Sequence, residues 1–228
     1  MDISGNYDRI REGIASACAA SGRREQDVTL VAVTKFVPEE RIAPALELGI
    51  RNVGENRAQE LTQKLEFFKT HNCDIHFIGQ LQTNKVKYII GQVDLVQSVD
   101  RYQLAQELER QAGKLSIVQD ILVQVNIGRE PQKGGVVEEE LSAFLEAVSD
   151  MPHLKVKGLM CVPPEAAEEE ARRYFARMRR LWEACSSLPG VEMRHLSMGM
   201  SGDYRAAVRE GATMVRIGSA LFGPRVTV

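Results

Sequence analysis

Several features that mark common classes of protein are missing from this sequence. Its four cysteines lie far apart and form no CxxC pair, which argues against a zinc site or a disulfide framework and favours reduced thiols. No apolar run approaches the length of a membrane span. The first residues have neither the basic stretch nor the apolar core of a signal peptide. We therefore expect a cytoplasmic protein that does not enter a membrane and holds no metal.

The sequence also lacks an excess of charge of either sign. Its 228 residues include 29 Lys and Arg against 31 Asp and Glu, and no basic tract stands out. Nucleic acid is therefore not an expected partner. A Gly-rich fingerprint after the first predicted strand is missing too, which makes a dinucleotide-binding sheet a weaker prediction.

What the sequence does contain is a repeated alternation of short apolar runs and amphipathic helices. An opening helix is predicted over residues 4–20, and residues 28–35 form a β-branched run too short for a helix, which indicates a buried strand. Similar runs predict further strands over residues 50–56, 74–79, 95–100, 119–127, 154–162, 192–199 and 213–218.

About eight strand-then-helix units in a row, with no linker between them, are the number that a closed barrel requires. We therefore predict an α/β fold with one domain over residues 1–228. That domain is a (β/α)8 TIM-like barrel with an extra N-terminal helix. An open, doubly wound sheet is the alternative.

In such a barrel the carboxyl ends of all strands meet at one face. The first strand ends in Lys35, and partial desolvation there would lower the pKa of its amine and free it for attack on a carbonyl. Alternatively, its stem covers the strand end while its ammonium reaches water. Other residues expected at this face are Glu55, Asn56, Gly79, Asn126, Met160, Cys161, Ser197, Gly199, Arg216 and Gly218.

Two of the loops at this face have the composition of a phosphate site. Residues 197–203 leave the seventh strand through small and hydroxyl residues, and residues 216–219 leave the eighth strand in the same way. Small residues let backbone N–H groups approach an anion, and barrels commonly bind phosphate with these two loops. Ordinary turn chemistry is the alternative explanation for the glycines.

Arg216 lies within an otherwise apolar strand. Its guanidinium must be paired or directed at a ligand, because an unpaired buried charge is costly. A salt bridge to a carboxylate such as Glu55 is the alternative. His76 and His195 lack a second histidine at metal spacing, so we interpret both as hydrogen-bonded histidines of the core or rim. Cys161 is interpreted as a buried structural cysteine.

A lysine at a strand end, two phosphate-binding loops and a buried arginine together suit pyridoxal 5′-phosphate (PLP) held as a Schiff base. In that arrangement the arginine can face the pyridine nitrogen. An aspartate there would keep the nitrogen protonated, whereas arginine cannot accept that proton and leaves the ring a weaker electron sink. Broad carbanion chemistry is therefore disfavoured.

The sequence also resembles a known family. Residues 33–35, 54–60, 76–85, 158–160, 196–203 and 215–219 read VTK, GENRAQE, HFIGQLQTNK, GLM, LSMGMSGD and VRIGS. Together they resemble the pyridoxal phosphate homeostasis protein family, also called the proline synthase co-transcribed family, over nearly the whole chain. The resemblance implies a barrel like the N-terminal domain of alanine racemase.

The same resemblance implies a set of PLP-binding residues. It places the cofactor on Lys35, Arg216 at the ring nitrogen and Asn56 beside the ring. The residues that it places near the phosphate are Ser197, Ser201, Gly218 and Ser219. We add Met160, which lies near the end of the sixth predicted strand, to the residues expected to bind PLP.

No established catalytic turnover goes with that family, which is thought to buffer or deliver PLP. We therefore expect a monomeric, non-enzymatic protein whose partners are PLP and the apo-forms of PLP-dependent enzymes. An amino-acid racemase is the alternative. It needs a base on each face of the cofactor, and the two-domain racemases take one of these from a second domain, so a thiol such as Cys161 would have to replace it. A phosphosugar aldolase that uses Lys35 is a third possibility.

Overall fold

Eight parallel strands close into a barrel in the order of the chain in the computed structural model, which describes residues 2–224. The first strand closes the barrel, because Ala32 pairs with Val53 of the second strand on one side and with Ile217 of the eighth on the other. This confirms the predicted α/β barrel. The ends of the expected domain, Met1 and residues 225–228, lie outside the described residues.

The strands and helices alternate as the sequence predicts. The strands are β1 Thr29–Val33, β2 Asn52–Glu55, β3 Asp74–Phe77, β4 Leu95–Val99, β5 Gln119–Val125, β6 Leu154–Cys161, β7 Val191–Met200 and β8 Met214–Ile217. The helices are α1 Ile3–Ala20, α2 Glu39–Glu47, α3 Ala58–Thr70, α4 Val86–Ile89, α5 Tyr102–Leu115, α6 Glu138–Ser149, α7 Glu168–Cys185, α8 Tyr204–Arg209 and α9 Ser219–Phe222.

Most strand residues are buried on both faces, except in the first half of β7, and this burial explains the nearly continuous apolar sequence of β1. In β5, Ile121 and Val123 belong to the main core between the strands and the helices. Leu122 points to the other face and packs in a smaller cluster with Leu95, Met160 and Met214. Because successive side chains of a strand alternate between faces, this smaller cluster lies inside the barrel.

The extra helix α1 packs its apolar side against the barrel's outer layer. Its residues Ile10 and Ile14 are buried in the main core. The Asp2 carboxylate caps the first turn by accepting a hydrogen bond from the Gly5 N–H at 2.8 Å, which satisfies one of the unpaired donors of a helix start. Within residues 2–224, no helix is both long and apolar enough to cross a bilayer.

Candidate functional site

A cavity of about 620 Å³ lies at the carboxyl-terminal face of the barrel. Small-molecule sites in proteins are commonly of about 300–1,000 Å³. Six of the eight residues expected to bind PLP line this cavity, and they come from β-strand ends that are far apart in the sequence: Lys35, Asn56, Ser201, Arg216, Gly218 and Ser219. The barrel therefore brings most of the predicted set together.

The other two predicted residues lie beneath the cavity. Met160 is buried in the apolar cluster inside the barrel. Ser197 is also fully buried, and its hydroxyl accepts a hydrogen bond from the Arg216 guanidinium at 2.6 Å. Neither is among the described residues that line the cavity, so direct contact of Met160 or Ser197 with a cofactor stays a prediction.

Lys35 is placed on the cavity wall by the end of β1. The strand ends at Val33, and Thr34 is still fully buried. Phe36, which follows Lys35, has a φ of 59°. A bulky residue rarely adopts this left-handed conformation, which costs about 1–3 kcal/mol and persists only where neighbours enforce it. The chain is therefore held in a strained turn directly after Lys35.

Arg216 is almost completely buried, with 3% of its surface exposed, and it lines the cavity. Its Nη1 donates to Ser197 Oγ at 2.6 Å and its Nη2 donates to the Cys161 carbonyl at 2.7 Å. Burial lowers the pKa of its guanidinium. No carboxylate of residues 2–224 forms a salt bridge with it, so this buried cation suits an anion or acceptor in the cavity.

The alternative of a salt bridge between Arg216 and Glu55 is wrong. The Glu55 Oε1 atom accepts hydrogen bonds from Lys64 Nζ and from Thr34 Oγ1, each at 2.7 Å. The carboxylate therefore belongs to a different cluster, on the side of β2 next to α3.

Behind Arg216 a set of hydrogen bonds crosses the barrel interior. Ser197 Oγ donates to Gln97 Oε1 at 2.6 Å, Gln97 Nε2 lies 2.7 Å from His76 Nδ1, and His76 Nε2 lies 3.1 Å from Asn52 Oδ1. We call Arg216, Ser197, Gln97, His76 and Asn52 the interior network. It explains how a barrel interior can hold polar side chains, because each one meets a partner.

The interior network confirms that His76 is a hydrogen-bonded core histidine. Burial lowers the pKa of its imidazole to about 4, so it is neutral near pH 7. The sequence did not predict a role for Gln97 or Asn52. The sequence signal that could have identified Gln97 is an amide side chain within the largely apolar run that predicts β4, and the structure shows it fully buried.

The loops after β7 and β8 meet at Ser201. Its Oγ accepts hydrogen bonds from the Gly218 N–H at 3.3 Å and the Ala220 N–H at 3.1 Å. Gly199, with a φ of 91°, allows β7 to turn there, since a Cβ would come within 2.5 Å of the Ala207 Cβ. The two loops predicted to bind phosphate therefore converge on one wall of the cavity.

Asn56 is held beside the cavity by a close backbone contact. A Cβ added at Gly79 would lie 2.1 Å from the Asn56 carbonyl oxygen, so only glycine permits this approach. The Asn56 Oδ1 atom is buried and has no hydrogen-bond donor among the described residues. An orphaned acceptor on a cavity wall suits a ligand that can donate.

Cys161, by contrast, is unsuited to catalysis. It is fully buried, and burial raises the pKa of its thiol to about 12. A neutral thiol is a poor base near pH 7. Its contribution to the site comes from the backbone carbonyl that accepts from Arg216, which confirms the structural interpretation.

Comparison with known proteins gives matches over nearly the whole chain. The family model described as alanine racemase, N-terminal domain, matches residues 6–226. A pyridoxal phosphate homeostasis protein of Aquifex aeolicus is 44% identical over 226 residues, covering 99% of each chain.

Two solved structures resemble this chain over most of its length. An unknown protein from Bifidobacterium adolescentis has a TM-score of 0.90 at 32% identity, covering 96% of this chain and 94% of that one. PipY of Synechococcus elongatus, solved with PLP bound, has a TM-score of 0.80 at 34% identity, covering 92% of this chain and 100% of that one.

Proposed function

Since this chain belongs to the pyridoxal phosphate homeostasis protein family, we propose that it binds PLP in the cavity lined by Lys35 and Arg216 and maintains the supply of that cofactor. The observation that carries the proposal is Arg216, a buried cation on the cavity wall with no salt bridge to a described carboxylate. PLP supplies an aldehyde that condenses with an amine, releasing water, to give a Schiff base, and here the amine is Nζ of Lys35.

The residues of the cavity fit the other parts of PLP. Ser201, Gly218 and Ser219, from the two converging loops, hold the phosphate. Arg216 donates a hydrogen bond toward the ring nitrogen, and Asn56 offers its orphaned acceptor beside the ring. Ser197 acts through Arg216, because its hydroxyl fixes the guanidinium from below. Met160 packs under the site within the barrel.

The same residues support binding and delivery rather than turnover. Arg216 carries only donors, so it cannot accept a hydrogen bond from a protonated ring nitrogen, and the ring stays a weak electron sink. Cys161 cannot supply the second base of a racemase, because burial keeps its thiol neutral. We propose that the protein is not an enzyme.

The rim of the cavity suits a carrier. Phe36 and Met200 line the cavity and yet are 51% and 37% exposed, so the rim that residues 2–224 form is open to solvent. Catalysis at a carbanion favours a site that excludes water. We propose that the protein works as a monomer in the cytoplasm and passes PLP to apo-forms of PLP-dependent enzymes.

Borohydride reduction of the PLP-loaded protein is expected to attach the cofactor to Lys35. Lys35 is the only lysine among the described residues that line the cavity. Digestion and mass spectrometry would locate the reduced adduct, and Lys35→Ala protein is the control, expected to carry none. Stoichiometric adduct on Lys85 in wild-type protein, with Lys35 unmodified, would contradict the proposal.

Arg216→Ala is expected to weaken PLP binding by about ten- to a hundredfold. The variant loses a charge-assisted hydrogen bond worth about 1.5–3 kcal/mol. The absorption maximum of the bound cofactor should shift as well, because the cation beside the ring nitrogen is removed. Titration with PLP, followed by absorbance, measures both effects. Arg209→Ala, on the exposed side of α8, is the control. An unchanged dissociation constant and spectrum in Arg216→Ala would mean that Arg216 serves only the barrel.

A further inference from the structure

Three polar side chains next to β1 hold the backbone on both sides of Lys35. They are Glu55 at the end of β2 and Glu60 and Lys64 on α3, and we call them the α3 clamp. We infer that the α3 clamp positions Lys35 for bond formation with the aldehyde of PLP. The inference rests on the proposed function and assigns a role in it to residues that lie outside the cavity.

Before Lys35, the clamp binds Thr34 at two points. Lys64 Nζ donates to the Thr34 carbonyl oxygen and to Glu55 Oε1, both at 2.7 Å. The Thr34 hydroxyl donates to the same Glu55 oxygen at 2.7 Å. Thr34 and Glu55 are fully buried, and Lys64 is 8% exposed. Hydrogen bonds between buried, charged groups are stronger than neutral ones, so this end of β1 is firmly held.

After Lys35, the clamp binds Phe36. The Phe36 N–H donates to Glu60 Oε2 at 2.8 Å. Glu60 is itself held in place by an ion pair, because its Oε2 atom lies 3.8 Å from Lys64 Nζ. In addition, the Arg57 guanidinium lies 4.7 Å from the centre of the Phe36 ring, within cation–π distance.

These contacts stabilise the strained, left-handed conformation of Phe36. A phenylalanine gains nothing by itself from the left-handed conformation, so its neighbours must stabilise it. The Val37 N–H closes the turn by donating to the Thr34 carbonyl at 3.0 Å. The hydrogen bond to Glu60 and the contact with Arg57 add to it. The result is a turn that fixes the direction in which the Lys35 side chain leaves the backbone. Without the turn, the long lysine side chain would sample a wider volume.

Fixing the backbone affects bond formation more than binding. Two groups held at the right separation react as if at very high local concentration. The clamp side chains are absent from the described lining of the cavity, so they do not contact the phosphate or the ring. Loosening the clamp should therefore weaken the covalent bond to Lys35 and leave noncovalent recognition intact. Glu55, Glu60 and Lys64 are positioning residues in this sense.

Two ligands separate these effects. PLP carries the aldehyde, whereas pyridoxine 5′-phosphate carries a hydroxymethyl group in its place and cannot bond to Lys35. Glu60→Ala is expected to weaken PLP binding about tenfold, the effect of losing one hydrogen bond to a charged group. The same variant should also form the borohydride-reducible adduct more slowly, while its affinity for pyridoxine 5′-phosphate stays that of wild-type protein.

Two further variants complete the test. Glu60→Gln keeps a side-chain oxygen that can accept from the Phe36 N–H, so it should recover most of the PLP affinity. Glu66→Ala, on the exposed face of the same helix, should behave as wild type. Circular dichroism at the assay temperature would confirm that each variant is folded.

The inference is overturned if Glu60→Ala binds PLP as tightly as wild type. Equal losses for both ligands would also overturn it, because they would show general distortion of the cavity. A wild-type protein that binds pyridoxine 5′-phosphate but forms no adduct with PLP is a different result. That outcome contradicts the proposed function itself.

Discussion

Lys64→Met protein is expected to lose about 3–5 kcal/mol of its free energy of unfolding, because the substitution leaves a buried carboxylate without its cation. Methionine replaces most of the lysine stem but not its ammonium. Glu55 is fully buried, and its Oε2 atom already lacks a hydrogen-bond donor among the described residues. Burial also raises the pKa of its carboxyl. Denaturant unfolding at pH 7 would measure the loss.

The double variant Lys64→Met/Glu55→Gln is the decisive comparison for this pair. Glutamine removes the unpaired charge and keeps an oxygen for the Thr34 hydroxyl, so the double variant should regain much of the lost stability. Lys69→Met, on an exposed part of the same helix, should change stability by no more than about 0.5 kcal/mol. Equal losses in the single and double variants would mean that Lys64 contributes by packing or by its hydrogen bond to the Thr34 carbonyl rather than by its charge beside Glu55.

Acid is expected to destabilise the protein by about 3 kcal/mol between pH 6.5 and about 4 through His76 alone. Burial lowers the pKa of its imidazole from 6.5 to about 4 in the folded state. In that range the unfolded chain binds a proton that the folded protein does not, so the free energy of unfolding falls as the pH falls. Well above pH 6.5 both states are neutral at this position, and its contribution is fully present.

The measurement is the difference between two pH profiles. His76→Gln removes the titrating group and keeps a polar side chain within the interior network. Unfolding free energies of wild type and His76→Gln at several pH values share the contributions of the carboxylates, which cancel in the difference. The difference should change by about 3 kcal/mol across the range. Parallel profiles would show that His76 does not govern this part of the acid response.

The sequence predicted those cavity-lining residues whose signals are local. Lys35 follows a short β-branched run, and Ser201 and Ser219 lie in small-residue turns after predicted strands. Each of these patterns is visible within a few positions of the residue itself. The barrel prediction then placed them on one face, since parallel strands share a carboxyl-terminal edge.

Residues that depend on contacts across the barrel could not be predicted in the same way. Arg216 was expected to need a partner, but the choice of Ser197 and the Cys161 carbonyl over Glu55 depends on which side chains meet inside the barrel. Met160 lies near the rim end of β6, but its side chain packs in the interior cluster. A shift of one residue in strand register would decide whether that side chain points into the barrel or away from it.

The α3 clamp illustrates a different limit. In the sequence, Glu60 and Lys64 are simply polar positions of an amphipathic helix. A left-handed φ at Phe36 has no signal in the sequence, because that conformation is typical of glycine and asparagine rather than of phenylalanine. Strain of this kind is visible only when the neighbours that enforce it are known.

The hydrogen bonds of the interior network all run in one donor-to-acceptor direction, and this direction constrains any redesign of the barrel as a catalyst. Arginine offers only donors, so Ser197 must donate onward to Gln97 Oε1, the Gln97 amide must donate to His76 Nδ1, and His76 must carry its proton on Nε2, toward Asn52. Exchanging Arg216 for an aspartate, to make the ring a strong electron sink, would place an acceptor at the head of that row. Every hydroxyl, amide and imidazole behind it would then have to reverse its orientation or tautomer. With Arg216 at the ring nitrogen, as we propose, the electronic character of the cofactor would depend on a row of side chains that spans the barrel, and a single substitution could not change it without reorienting that row.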